Sequence, residues 1–251
     1  SLSCIEETVK SQLPEETGDT LAAYFQAAGT ALVDDEAPEK GLEVGSPAEA
    51  LFNLALIGDM GGARHFLLEE IKSERMTLES AILEALLPAA REAGRRWHLG
   101  EMGVAAEHVI TATLRSALHS VTAVLPRPKP NGKAAFIAAV PGDAHDTALL
   151  AFALLLEQDG WRVALAGADT PTEEIDATAE GYDCDLIALS ATLPSQRYAL
   201  VSYLGSRDGT IPILVGGSAV TGLDDALAIG AEGYAENLPA GLVAARELVD
   251  L

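Results

Sequence analysis

The sequence has few basic residues, few aromatic residues and almost no cysteine. Its 251 residues include 16 lysines and arginines against 38 aspartates and glutamates, which gives a net charge of -22. A protein with that charge repels the phosphates of nucleic acids and of anionic lipids, so we expect no direct binding to either. Its two cysteines, Cys4 and Cys184, provide neither a disulfide framework nor the paired spacing of a zinc site, which favours a reducing, cytoplasmic setting.

Long apolar runs are also missing. No run reaches the roughly 18 residues that span a bilayer, and the first residues, SLSCIEETVK, lack the basic start of a secretory signal. Apolar residues still make up 49% of the chain, which is enough to bury the cores of two modest domains. We therefore expect a soluble, cytoplasmic protein with two folded domains.

Three regions with different patterns follow one another along the chain. Residues 1–45 are acidic and read as a short helix over 17–35 followed by a linker. Residues 46–126 contain four stretches with helical apolar spacing and short connections, which predicts a four-helix bundle. After the break RPKPNG, residues 133–251 alternate apolar strands with helices, the pattern of a doubly wound parallel sheet of flavodoxin or Rossmann type.

Local signals mark the ends of the bundle helices. Ser46, directly before Pro47, is a helix cap followed by proline at the first helical position, Asp59 caps the next helix, and the third helix is expected to start from Thr77. Pro88 lies inside the third stretch, where we expect it to kink the helix rather than end it. The fourth helix is expected to run as far as Pro126.

The loops that follow the strands carry the candidate chemistry, because ligands of such sheets bind at the carboxyl ends of the strands. Asp143 stands two residues before His145, so its carboxylate can hold one imidazole nitrogen and leave the other free, as in metal-ligating histidines. A later loop supplies Ser190 and Thr192, and the pair Gly216-Gly217 lets a bulky group approach the backbone. Each loop taken alone is equally compatible with ordinary turn chemistry.

Together these loops resemble the cobalamin-binding domain shared by methionine synthase, mutases and corrinoid proteins. Its pattern is Asp-x-His-x-x-Gly, then Ser-x-Leu or Ser-x-Thr, then Gly-Gly. The resemblance implies that His145 ligates cobalt from below, that Asp143 is its partner, and that Ser190 and the glycines line the channel of the displaced nucleotide tail. Ala148 stands where the family has glycine. The resemblance further implies cofactor contacts by loop residues Gly142, Asp146, Asp169, Thr192 and Leu193.

The bundle contains a second motif, Trp97 followed after nine residues by Glu107 and His108. From the residues alone, a core tryptophan beside an exposed carboxylate is an equally good interpretation. The run AREAGRRWHLGEMGVAAEHVITATLR, however, resembles the helical cap of CarH-type cobalamin photoreceptors. That resemblance implies that Trp97 and Glu107 cover the upper face of cobalt and shelter a 5'-deoxyadenosyl group, that His98 takes the upper position after light breaks the cobalt-carbon bond, and that His108 supports the edge of the cap.

What the resemblance implies is a light sensor rather than an enzyme. Adenosylcobalamin would lie between the bundle and the α/β domain, and photolysis would change domain packing or a homo-oligomeric state, dimer or tetramer. Residues 1–45 do not resemble the basic DNA-binding domain usual in that family, so output through a protein partner is expected. The related photocobilins also carry a bilin such as biliverdin, which here would be held non-covalently because the bundle has no cysteine.

Two other interpretations stay open. A corrinoid carrier for a cobalamin-dependent methyltransferase would have the same fold, with a helical cap that opens in each turnover. An interaction module that has lost its cofactor is the third, suggested by Ala148 and by the missing DNA-binding domain.

Overall fold

A computed structural model describes residues 41–250. The helix predicted over 17–35 and most of the acidic segment lie outside the described residues. The part described is a helical bundle followed by a parallel α/β sheet, which confirms the predicted fold class. None of the helices in this part of the chain is both long and apolar enough to cross a membrane.

The bundle consists of helical segments joined by short turns. They are α1 (Pro47–Leu56), α2 (Met60–Lys72), α3 (Leu78–Ser80), a π-helical segment (Ala81–Leu86), α4 (Leu87–His98) and α5 (Val104–Val121). The predicted caps are in place, because Ser46 accepts a hydrogen bond from Glu49 N–H at 3.1 Å and Asp59 accepts one from Gly62 N–H at 2.8 Å. The fourth helix ends at Val121 rather than near Pro126.

The third predicted helix continues through Pro88, but its hydrogen-bonding pattern changes just before the proline. Segments α3, π and α4 follow one another without a break. In the π segment Leu87 N–H bonds to Ile82 C=O, five residues back. Since proline has no N–H and its ring crowds the carbonyl four residues earlier, a wider turn is one way for a helix to continue past it. The π segment supplies that turn.

The α/β part contains five strands and five helices. In chain order they are β1 (Ala134–Ala139), α6 (Thr147–Gln158), β2 (Arg162–Gly167), α7 (Thr172–Gly181), β3 (Leu186–Ser190), α8 (Pro194–Ser206), β4 (Ile213–Gly216), α9 (Leu223–Ala228), β5 (Gly233–Ala235) and α10 (Leu238–Leu248). All neighbouring strands are parallel in the order β2-β1-β3-β4-β5. This is the flavodoxin-like order, whose switch point lies between β1 and β3.

The strand register brings the candidate loops together. Ser190, at the end of β3, pairs with Ala139 of β1 on one side and with Gly216 of β4 on the other. The loops that leave these strands therefore start side by side, at the carboxyl edge of the sheet.

Helix α6 joins the two halves. Leu150, Ala151, Leu154 and Leu155 belong to the apolar core of the bundle, whereas Leu149, Phe152, Ala153 and Leu156 belong to the core between α6 and the sheet. An almost entirely apolar helix is what such a doubly covered position requires. The residues that open α6 thus lie where the bundle meets the sheet.

Candidate functional site

A cavity of about 910 Å³ lies between the bundle and the carboxyl edge of the sheet. That volume is near the upper end of the roughly 300–1,000 Å³ typical of small-molecule sites. Its bundle wall comes from the π segment, α4 and α5, and its other wall comes from the loops after β1, β3, β4 and β5. The residues predicted from sequence that line it are Trp97, His98, Glu107, His108, His145, Ser190, Thr192, Gly216 and Gly217.

His145 is held by Asp143 in the way that its sequence spacing predicts. The imidazole Nδ1 lies 2.8 Å from Asp143 Oδ1, and the same oxygen accepts the backbone N–H of His145 at 3.0 Å. The side chain of His145 is 58% exposed, whereas that of Asp143 is fully buried. Because Nδ1 is engaged, Nε2 is the nitrogen left to act as a ligand.

The Asp143 carboxylate also joins two loops. Its second oxygen accepts the backbone N–H of Thr192 at 2.8 Å. Burial by itself would raise the pKa of Asp143, but the hydrogen bonds from His145 and Thr192 outweigh it and hold that pKa below its usual range. The hydrogen bond to this carboxylate raises the pKa of His145. A more basic imidazole is a stronger electron-pair donor to a metal.

Gln196 is a residue that sequence reasoning missed. Its buried amide accepts the backbone N–H groups of Thr192 at 3.0 Å and of Leu193 at 2.7 Å, and it donates to the carbonyl of Gly142 at 2.9 Å. It therefore fixes the loop after β3 to the loop that carries the histidine. A glutamine at the start of a helix gives no sequence signal for this role, because the contact depends on the tertiary approach of two loops.

The bundle wall presents Trp97 and Glu107 to the cavity. Trp97 is 49% exposed, although it lies on a helix packed in the bundle. Glu107 accepts a hydrogen bond from Thr111 Oγ1 at 2.5 Å, one turn further along α5, and its other oxygen lies 3.8 Å from His108 Nε2. A large aromatic surface with half its area free, next to a carboxylate, forms an apolar wall with one polar edge.

Buried Glu92 fixes the end of α4 just before the tryptophan. It holds Arg95 through two hydrogen bonds of 2.7 and 2.8 Å and Arg96 through one of 2.6 Å. Arg96 in turn lies over the ring of Phe52, 4.6 Å from its centre. In the sequence these arginines look like a solvated helix face, and only the fold shows that they turn inward to one carboxylate.

The glycine pair borders the cavity at the edge of the sheet. Gly217 has φ +92°, and a Cβ there would lie 2.3 Å from the Ala191 carbonyl oxygen, so only glycine fits. A Cβ on Gly216 would meet nothing closer than 3.5 Å and would narrow the cavity instead. Ala148 lines the cavity as well, so its methyl group takes up space at the position where the resemblance expects glycine.

The other predicted site residues do not line the cavity. Asp146 forms an ion pair with Arg115 of α5 at 2.8 Å, and Asp169 accepts the Gly142 N–H at 2.7 Å. Leu193 is 46% exposed at the start of α8. Asp143 acts through His145. Direct cofactor contact by Gly142, Asp146, Asp169 and Leu193 stays a prediction.

The donor set fits a corrinoid. In the described residues no other side chain or backbone group is hydrogen-bonded to His145 Nε2, and the imidazole borders a cavity that extends along the sheet between α6 and the ends of β3 and β4. A single held imidazole suits a metal that arrives with its other ligands in a cofactor, and the cavity beside the glycine pair leaves room for part of that cofactor.

Comparisons with known proteins agree with this reading. Residues 47–121 and 133–243 each match a model described as a B12 binding domain. The transcriptional repressors CarA and CarH of Myxococcus xanthus, both of the HTH type, are 34% and 30% identical over 61% and 54% of this chain. The chain spans about half the length of these relatives, 52% and 46%.

A solved structure shares the fold. The monomethylamine corrinoid protein of Methanosarcina barkeri aligns over 80% of this chain and 98% of its own length, with a TM-score of 0.69 and 17% identity. At that identity the likeness concerns the fold. The two family matches cover most of the chain, one on the bundle and one on the α/β part. The bundle and the α/β part therefore each match a B12 binding domain, and these two matches support cobalamin binding by the chain.

Proposed function

We propose that the chain is a light sensor, not an enzyme, and that it holds adenosylcobalamin in the cavity between the bundle and the sheet. The observation that carries the proposal is that His145 borders this cavity from the sheet side while Trp97 and Glu107 border it from the bundle side. The similarity to the repressors CarA and CarH supports a regulatory role.

The residues on the sheet side and on the bundle side of the cavity have different proposed roles. When bound, the cofactor supplies a cobalt-carbon bond that visible light breaks. His145 Nε2 would hold the metal, and Asp143 fixes the imidazole in the tautomer that this requires. Trp97, on the bundle side of the cavity, would cover the cofactor there and exclude water. His98 also lines the cavity and would be a further imidazole available to the metal after photolysis.

Trp97 would pass a change in the cofactor on to the bundle. The indole would pack against the intact cofactor in darkness, and illumination would remove that contact. Such a loss shifts the equilibrium between two packings of the bundle by the difference in contact energy. We propose that the output is a changed domain packing or oligomeric state, between dimer or tetramer and smaller species, read by a protein partner.

The proposal is tested with protein loaded with adenosylcobalamin in darkness. We expect green light to change the absorption spectrum irreversibly and to change the elution volume on size exclusion. His145→Ala is expected to lose the spectral signature of histidine ligation, whereas His65→Ala, an exposed histidine outside the cavity lining, should behave as the parent. An adenosyl-loaded protein whose spectrum and size are unchanged by light would refute the sensor function.

A corrinoid carrier for a methyltransferase is the second candidate, favoured by the fold shared with the monomethylamine corrinoid protein. A carrier is expected to hold a methyl form and to exchange the methyl group in darkness with a donor and an acceptor. Extraction of the pigment from freshly purified protein separates the two functions and also shows whether a bilin accompanies the corrin.

A further inference from the structure

The bundle wall of the cavity has a gap in its side chains at Gly94. Successive turns of the π segment and α4 face the cavity with Leu83, Leu87 and Ala90, and the next position on that face is Gly94. A Cβ built on Gly94 would meet no atom of the described residues within 4 Å, outside its own helix backbone and chain neighbours. The space beside this glycine is therefore open cavity.

No contact among the described residues requires a glycine here. Glycine in a helix interior is less favourable than alanine by about 1 kcal/mol. Gly62 of the same bundle has a reason, since a Cβ there would lie 2.3 Å from the Asp59 carboxylate. Gly94 has no such neighbour and does not have a positive φ. Because Gly94 lines the cavity, its bare backbone leaves room there for whatever occupies the cavity.

The gap lies directly beside the tryptophan. Trp97 and His98 follow Gly94 by three and four residues, so all three share one face of α4. Helical side chains lean back over the preceding turn, which directs the indole toward the turn of Gly94. Since no indole atom comes within 4 Å of the Cβ position, a notch separates the glycine from the ring.

We propose that Gly94 is a specificity-determining residue of the cobalamin site. The notch between Gly94 and the indole receives the group bound on the upper side of cobalt, and its size sets how large that group can be. A methyl group at position 94 excludes a substituent as bulky as 5'-deoxyadenosyl more strongly than a small one such as hydroxide. This inference rests on the proposed cofactor but does not depend on the response to light.

The test compares Gly94→Ala with Gly205→Ala. Gly205 lies in the last turn of α8, outside the cavity lining, and a Cβ there also meets nothing within 4 Å. Without cofactor, both variants are expected to unfold at a temperature equal to or higher than the parent, by up to about 2–4 °C, because alanine favours the helix. Folding is therefore preserved in both.

The two variants are expected to differ in their affinity for the cofactor. Spectral titration in darkness is expected to show Gly94→Ala binding adenosylcobalamin about tenfold to a hundredfold more weakly than the parent, the range of an overpacked site. Hydroxocobalamin should lose less affinity, and Gly205→Ala should match the parent for both. Equal affinity of Gly94→Ala and the parent for adenosylcobalamin, or an equal loss for both cobalamins, overturns the proposal. Failure of the light response in the parent protein would instead count against the sensor function.

Discussion

Replacing Asp143 by asparagine tests whether a buried carboxylate organises the ligand loop, the residues between β1 and α6 that carry His145. The carboxylate accepts three hydrogen bonds, two from His145 and one from the Thr192 N–H, and no part of its side chain is exposed. An asparagine amide has one acceptor oxygen in place of two. In either orientation its NH2 group therefore faces a donor that the carboxylate accepted. The Thr192 N–H keeps Gln196 as an acceptor, and His145 is partly exposed, so the group left buried without a partner is the asparagine NH2.

The structure sets the size of the effect. A buried polar group without a partner costs about 1–3 kcal/mol, so we expect Asp143→Asn to lower the free energy of unfolding by about 1–3 kcal/mol. For a protein of this size that is a fall of about 2–12 °C in the midpoint of thermal unfolding. Because the imidazole also loses its anionic partner, affinity for hydroxocobalamin should fall about 10–100-fold.

Asp169→Asn is the matched control. This aspartate also accepts one backbone N–H, that of Gly142, but it is exposed, and asparagine tolerates its φ of 49°. We expect a change within about 0.5 kcal/mol. Thermal unfolding of the cofactor-free variants and spectral titration with hydroxocobalamin measure both quantities. If Asp143→Asn matched this control in stability and the parent protein in affinity, the organising role assigned to the carboxylate would be wrong.

Two further predictions concern the walls of the cavity. Hydrogen bonds from Arg95 and Arg96 lower the pKa of Glu92 below its usual range. The free energy that these bonds contribute to folding is therefore complete above the pKa of Glu92 in the unfolded chain and is lost as the pH falls through its lower pKa in the folded state. Urea unfolding from pH 6 to pH 3 should show the stability of Glu92→Gln converging with that of the parent at the acid end. Gly217→Ala should cost at least about 1–3 kcal/mol through backbone strain and the contact with Ala191, whereas Gly216→Ala should keep its stability and lose cobalamin affinity. Equal losses of stability in both glycine variants would contradict the difference in space that the structure shows around the two glycines.

Much of the fold could be predicted because its signals are local. A capping residue such as Ser46 needs only the turn that follows it, and continuous apolar strands between helices indicate a parallel sheet wherever they occur. The prediction missed β5 (Gly233–Ala235), which has three residues and no apolar run of its own. It also missed the π segment, because a helical apolar spacing does not distinguish backbone hydrogen bonds that reach back four residues from those that reach back five.

The same difference between local and long-range signals applies to the residues of the candidate site. The spacing of Asp143 and His145 is a local relation, and it appears in the structure as expected. The bond from Gln196 to Gly142 and the bond from Arg115 to Asp146 join residues 54 and 31 positions apart, so no short window of sequence contains either contact. Residues with a chemical role can therefore be found from their spacing, whereas those that hold loops against one another become visible only when the fold brings them together.

The ligand loop is tied to both halves of the molecule, which bears on how a signal leaves the site. Asp143 fixes the loop to the β3 side through the Thr192 N–H, and Asp146 fixes it to the bundle through Arg115. His145 lies between these two carboxylates in sequence. A shift of α5 that moves the arginine therefore acts on a residue adjacent to the histidine, and a displacement of the imidazole acts on the bundle by the same route. If His145 holds the metal as proposed, this ion pair and the shared core of α6 would couple the metal position to domain packing, because both begin within two residues of His145.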